Sequence, residues 1–276
     1  MRGQYCPKFV FFAAMMLILC AFSPVWAASP PPDFACGPDF NPFGAIPPHD
    51  DSAGSVTAAS LVRLLPPSGV EGLTTGDGTV WRLADIAFPP DIVAQAADQM
   101  GRDFGRYQML EPVSSMPDFA GRQTAYVRDG DGQSWQADLL RAGLAMVLPD
   151  SDHDISTLIA AEQDAIGAGR GLWAQPGYFY QAATMTGAAT GRFAVIDGIV
   201  ISVEHREWRS YLNFGRNWQR DFTIAIDRDL RDILEMRGID MASWAGKHVR
   251  VRGTIEARGG PFIGLSDLSW LCLRGD

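Results

Sequence analysis

Histidine and cysteine are scarce in this chain, with four of each among 276 residues. His49, His153, His205 and His248 stand far apart, without the short spacings that bring two imidazoles to one cation, so a zinc centre is not expected. A Ser-His-Asp arrangement and a phosphate-cradling glycine loop are also missing, which argues against a serine-type hydrolase and a nucleotide cofactor. Positive charge is short overall: 23 Lys and Arg against 32 Asp and Glu leave a net charge of −9. That excludes a whole-molecule field that gathers nucleic acid, so any nucleic-acid surface must be a local basic patch. The one notable apolar run, residues 9–22, has 14 residues, short of the ~20 that a membrane-spanning helix needs.

That run has the layout of an export signal. Arg2 and Lys8 precede it, Ser23-Pro24 breaks it, and Val25-Trp26-Ala27 offers a small-residue cleavage site. We read residues 1–27 as a signal peptide, the alternative being an uncleaved anchor. The mature chain is then exported, periplasmic or secreted, with no membrane contact after cleavage. Cys6 and Cys20 leave with the signal, and Cys36 and Cys272 remain either as one disulfide or as two free thiols. Residues 28–54, with Ser29-Pro30-Pro31-Pro32 and Pro47-Pro48, read as an extended Pro-rich linker. Within it, His49-Asp50-Asp51 reads as a solvated turn.

Beyond the linker, alternation and turn residues predict strands at 56–65, 70–73 and 79–86. Thr75-Gly76-Asp77-Gly78 is a hairpin turn between the last two. Ile92, Ala96 and Met100, widened by Val93 and Ala97, form the apolar stripe of a helix at 91–105. Strands at 107–113 and 124–127 follow, then another hairpin turn at Asp129-Gly130-Asp131-Gly132. Helices are predicted at 134–147 and 156–169, the second with Ser156 as N-cap. A domain boundary is expected in 175–191. The remainder is β-rich: strands at 193–203 (Gly198 marking a bulge), 210–214, 221–226, 247–256, 262–265 and 271–273, with a short helix at 228–237. In 247–256, Val249, Val251, Gly253 and Ile255 alternate with His248, Arg250, Arg252 and Thr254. This density of strands suggests a small barrel.

Three segments in order resemble the thermonuclease (staphylococcal nuclease-like) family. Residues 80–89 are similar to its Arg-Leu-small-small-aliphatic-Asp-x-Pro-Glu strand. Residues 117–126, containing Asp118, Gly121, Arg122, Ala125 and Tyr126, are similar to its Asp-x-x-Gly-Arg-x-x-Ala-Tyr motif. Residues 135–145 are similar to a helix ending Arg-x-Gly-Leu-Ala, and Glu162 with Arg170-Gly171-Leu172-Trp173 matches the close. The resemblance covers about 55–180. It implies an OB-type barrel with three helices and calcium-dependent cleavage of DNA and RNA, in which two arginines grip phosphate and carboxylates hold the metal and activate water.

Carried over position by position, Arg82 and Arg122 match the two arginines, and Asp118 the acidic residue that opens the second motif. The metal-binding aspartate falls on Ala87, the carbonyl ligand on Phe88 and the catalytic glutamate on Pro90. Glu71 and Asp85 are the candidate substitute metal ligands, with Asp91 a further nearby acid. The expected architecture is mainly β with α (α+β): a thermonuclease-like OB barrel with three helices at 55–180, then a second small OB-like β-barrel at 190–275. In the latter, Arg209, Tyr211, Phe214, Arg216, Trp218 and Arg220 interleave bases and aromatics as a nucleic-acid-binding patch would. The favoured function is binding of nucleic acid, preferably single-stranded, or of a protein partner, without efficient catalysis and with no cofactor. The alternative is a calcium-dependent nuclease using the substitute carboxylates.

Overall fold

The computed structural model describes residues 60–273, apart from 62, 114–115, 152 and 186–189. The expected signal and linker, Cys36 and the start of the strand expected at 56–65 lie outside the described residues. The first half contains β1 (Ser60–Leu61), β2 (Leu73–Thr74), β3 (Val80–Leu83), β4 (Ile86–Ala87), β5 (Tyr107–Pro112), β6 (Gln123–Asp129) and β7 (Met146–Val147). Its helices are α1 (Val93–Asp103), α2 (Trp135–Arg141) and α3 (Ser156–Gly167). Five strands form one sheet in the order β1-β5-β6-β3-β2, and β4 pairs with β7. Only β3 and β6 run parallel in that sheet; the other pairs are antiparallel. A Leu64–Thr75 bridge and a 2.8 Å bond from Leu65 N–H to the Thr74 carbonyl lay the chain just past β1 against β2, so the pairings return to where they began.

Local chemistry explains these elements and where they depart from expectation. Asp77 accepts from Thr75 Oγ1 (2.5 Å) and from Thr79 N–H (3.0 Å), closing the turn into β3. The single strand expected at 79–86 is broken in two, because Asp85 adopts φ +57 at the corner. The helix expected at 134–147 stops at Arg141. Gly143 takes φ +71, and a Cβ there would lie 2.1 Å from the Arg170 carbonyl oxygen, so the chain turns sharply and re-enters as β7. Ser134 caps α2 by accepting from Ala137 N–H (3.3 Å). Ser156 is the first residue of α3 rather than its cap.

The second half contains β8 (Phe179–Gln181), β9 (Phe193–Ile199), β10 (Ser202–His205), β11 (Arg209–Asn213), β12 (Thr223–Asp227), β13 (His248–Thr254), β14 (Glu256–Arg258), β15 (Gly260–Leu265), β16 (Leu271–Leu273) and α4 (Arg228–Met236). Its sheets run β10-β11-β12-β15-β14 and β16-β13-β9-β8. β9 continues into β10 and β13 into β14, so these pairings too come full circle, again with one parallel step inside the ring, β12 with β15. In the first half α1 follows β3 and β4, and in the second half α4 follows β12. Gly198 is not a bulge: β9 and β13 stay in register through it, and a Cβ there would fall 2.5 Å from Ala182 Cβ. The fold is mainly β with four α-helices among the described residues, and none of these is long and apolar enough to cross a membrane.

Two apolar clusters fill the halves, and β9 serves both. Val195 belongs to the first cluster and Ile196 to the second, as a period of two requires. The alternation in β13 has the expected parity, but two of its polar-side residues, Arg250 and Arg252, are buried instead of facing water. Arg250 pairs with Asp197 through two bonds of 2.6 and 2.8 Å. Arg252, fully buried, meets fully buried Glu162 of α3 at 3.0 and 2.7 Å and donates to the Val147 carbonyl at 3.2 Å. Glu162 also accepts from Val147 N–H (2.8 Å), so one ion pair holds both polar groups of a β7 residue. Cys272, buried on β16, is disulfide-bonded; its partner lies outside the described residues.

Candidate functional site

Parallel pairing of β3 with β6 brings the two motif arginines together. Arg82 stands opposite Thr124, and Arg122 lies two residues before Thr124, so both side chains leave the same face of the ladder. They line a cleft of about 320 Å³ with Glu71, Asp118 and Phe119, whose other wall is Val70, Leu83, Ile86, Ala87, Phe88 and Leu148. Asp118 builds the loop that presents Arg122. Its Oδ1 accepts from the N–H groups of Ala120 and Arg122 (both 2.9 Å), its Oδ2 accepts from Arg122 Nε (2.8 Å), and Gly121 supplies the φ of +77. The Arg122 backbone N–H holds the Asp118 carboxyl below its ordinary range, with help from the guanidinium. Phe119, on the same loop, is fully exposed at the rim.

Each arginine already carries carboxylates. Arg122 donates to Glu71 Oε2 (2.5 Å) as well as to Asp118. Arg82 donates to Asp150 and lies 3.8 Å from Asp118. Asp150 comes from the loop after β7, 68 positions away in the sequence. Nothing in the sequence singles it out, since a Pro-Asp-Ser-Asp run reads as an ordinary polar loop. Phe119 had a signal that went unused: an aromatic in a short polar loop between Asp118 and Gly121.

The structure separates the candidate metal ligands. Glu71 lines the cleft, engaged by Arg122. Asp85 does not reach the cleft, which corrects its assignment as a substitute ligand. It is 0% exposed. Its Oδ1 accepts from the N–H groups of Asp150 (2.7 Å) and Ser151 (2.9 Å), and its Oδ2 from the hydroxyls of Ser151 (2.5 Å) and Tyr126. Four donors on two oxygens leave no lone pair directed at a cation. Asp91 faces the second half, accepting from Tyr178 OH (2.7 Å) and pairing with Arg192 at 3.4 Å. Ala87 puts a methyl group into the cleft, and Pro90 is exposed outside it. Among the described residues, no group of three or more His, Cys, Asp or Glu is placed to hold a metal ion.

The basic and aromatic residues of the second half divide. Phe214 is only 6% exposed and packs on Phe222 with ring centroids 5.1 Å apart, so it is core and not a binding residue. Arg209 is paired with Asp227 (2.5 Å), and Tyr211 is half-buried opposite Glu204. Arg216, Trp218 and Arg220 are exposed together on the β11–β12 turn, and neither arginine has an ion-pair partner among the described residues. Asp221 and Asn217 fix that turn through bonds of 2.8 to 3.1 Å. Gly259 lets the chain pass close to the Trp218 ring, where a Cβ would stand 3.1 Å away.

No family model and no curated protein matches this chain.

Proposed function

We propose that this chain is an exported, thermonuclease-like protein of two OB-type barrels that binds single-stranded nucleic acid without efficient hydrolysis. The observation that carries the reading is the cleft itself. Two guanidiniums leave one face of the β3–β6 ladder beside an exposed phenyl ring, a combination suited to phosphodiester and base. The positions that would supply a general base and a metal ligand hold Pro90 and Ala87, which can neither take a proton nor coordinate. Burial of Asp85 weakens the calcium-dependent alternative. Both rings of pairing follow the strand order expected of an OB barrel, with the parallel step and the helix in corresponding places. The disulfide at Cys272 supports export, since such bonds persist in oxidising compartments.

Charge-assisted hydrogen bonds contribute about 1.5–3 kcal/mol each. Arg82→Ala and Arg122→Ala are therefore each expected to weaken binding of a fluorescent single-stranded oligonucleotide by roughly 10–100-fold in anisotropy titrations. Unchanged affinity in both would refute the cleft assignment. The turn at 216–220 is expected to add a smaller contribution. An Arg216→Ala, Arg220→Ala protein should lose roughly 1.4 units of the slope of log affinity against log salt, about 0.7 for each phosphate contact. An unaltered slope would remove this turn from the binding surface.

A further inference from the structure

We propose that Asp150 is a tethered competitor for Arg82, which an incoming anion must displace, so that this residue sets which anions the cleft accepts. The inference rests on the cleft reading above and concerns the regulation of that same site. Its basis is that Arg82 donates to Asp150 Oδ2 on the face assigned to phosphate.

The contact is held by the surrounding structure. Asp85, buried and in the left-handed region, accepts from the backbone N–H groups of Asp150 and Ser151, and from the Ser151 hydroxyl. Its own backbone N–H donates to Asp150 Oδ1 at 2.9 Å. This reciprocal clamp ties the loop after β7 to the corner between β3 and β4. The Leu148 N–H bond to the Asp85 carbonyl (2.9 Å) fixes the loop's other end. Asp150 is therefore carried to Arg82 by the backbone, in contrast to Glu71, an exposed side chain free to swing away from Arg122. Asp118 differs again, because its bonds to two backbone N–H groups make it part of the loop and not a removable occupant. Burial pushes the Asp150 carboxyl above its ordinary range, as expected for a charge taken from water to serve one arginine.

A tethered anion competes at an effective concentration of at least about millimolar, even on a flexible tether. A free phosphate brings no base to stack on Phe119, and at millimolar concentration it does not displace the tethered carboxylate. A strand that also engages Arg122 and stacks on Phe119 gains contacts that Asp150 cannot make, and enters. The cleft thereby discriminates against small anions in favour of polyanions carrying planar bases.

Asp150→Asn keeps an acceptor for the Asp85 N–H and removes the charge. Using the full-length protein, anisotropy with a short labelled single-stranded oligonucleotide should show about tenfold tighter binding, equivalent to ~1.4 kcal/mol. Inorganic phosphate should begin to compete at millimolar concentration in the variant and not in the wild type. Adding Arg82→Ala should cancel both gains. Should the asparagine lower the melting temperature, Asp150→Ser, which removes the charge with a smaller side chain, must show the same gain. The proposal is overturned if a folded variant binds the oligonucleotide equally well or more weakly while wild-type binding still depends on Arg82. Absence of Arg82-dependent binding in both proteins would instead overturn the cleft reading.

Discussion

Arg252→Ala should destabilise the protein by about 3–5 kcal/mol, the cost of leaving one member of a buried ion pair without its partner. Glu162 has 0% exposure, so solvent cannot take over the lost charge. The damage extends beyond the pair. Arg252 and Glu162 together hold the carbonyl and N–H of Val147, and β7 pairs with β4, which carries Ala87 into the cleft. The second half thus supports the floor of a site in the first. At roughly 2–4 °C per kcal/mol for a chain of this size, melting should fall by about 10 °C. Replacing both residues, as Arg252→Met with Glu162→Leu, should recover only part of the loss: well-packed apolar side chains often match a buried pair, but the N–H and carbonyl of Val147 lose their partners. Arg252 Nε has no hydrogen-bond partner among the described residues, so the native pair is itself imperfectly satisfied. Equal melting temperatures for wild type and Arg252→Ala would show that the interface does not depend on this contact.

Asp85→Ala should cost about 4 kcal/mol. It strips the acceptor from two backbone N–H groups and two hydroxyls at once, and a buried donor left unpaired costs about 1–3 kcal/mol. The hydroxyls of Tyr126 and Ser151 can rotate, so the sum is smaller than four full penalties. Asp85→Asn should be milder: its amide nitrogen can face the two hydroxyls, which turn to accept, while its oxygen keeps the two backbone donors. Asp85→Gly separates the remaining factor, because glycine tolerates the φ of +57 but restores no acceptor. The expected order of stability in urea unfolding is wild type, Asn, Gly, Ala. A full-stability alanine variant that had lost calcium binding would instead make Asp85 a metal ligand.

The contrast between Asp85 and Arg252 marks what could be read from the sequence. Short-range signals worked: the stripe through Ala96 and Met100 gave α1, the Asp-Gly turn at 75–78 gave the β2–β3 hairpin, and parity in 247–256 gave β13 its two faces. Arg82 and Arg122 lie in two local motifs, and the parallel pairing of β3 with β6 sets them on one face. What the sequence did not reveal depends on which distant segment covers a face. An alternating strand looks the same whether its polar side meets water or a neighbouring helix, so the burial of Arg250 and Arg252 was not legible. Asp85 looked like an available carboxylate until the loop carrying Asp150 and Ser151 closed on it from 65 positions away. Phe214 was misread for the same reason, since a core aromatic beside arginines has the composition of a binding surface.

Binding without cutting is best tested by incubating the purified protein with 5′-labelled single-stranded DNA in calcium, following anisotropy and then resolving the strand on a denaturing gel. The strand should be bound through Arg82 and Arg122 and recovered at full length. Calcium-dependent shortening of the strand that Arg82→Ala abolishes would contradict it.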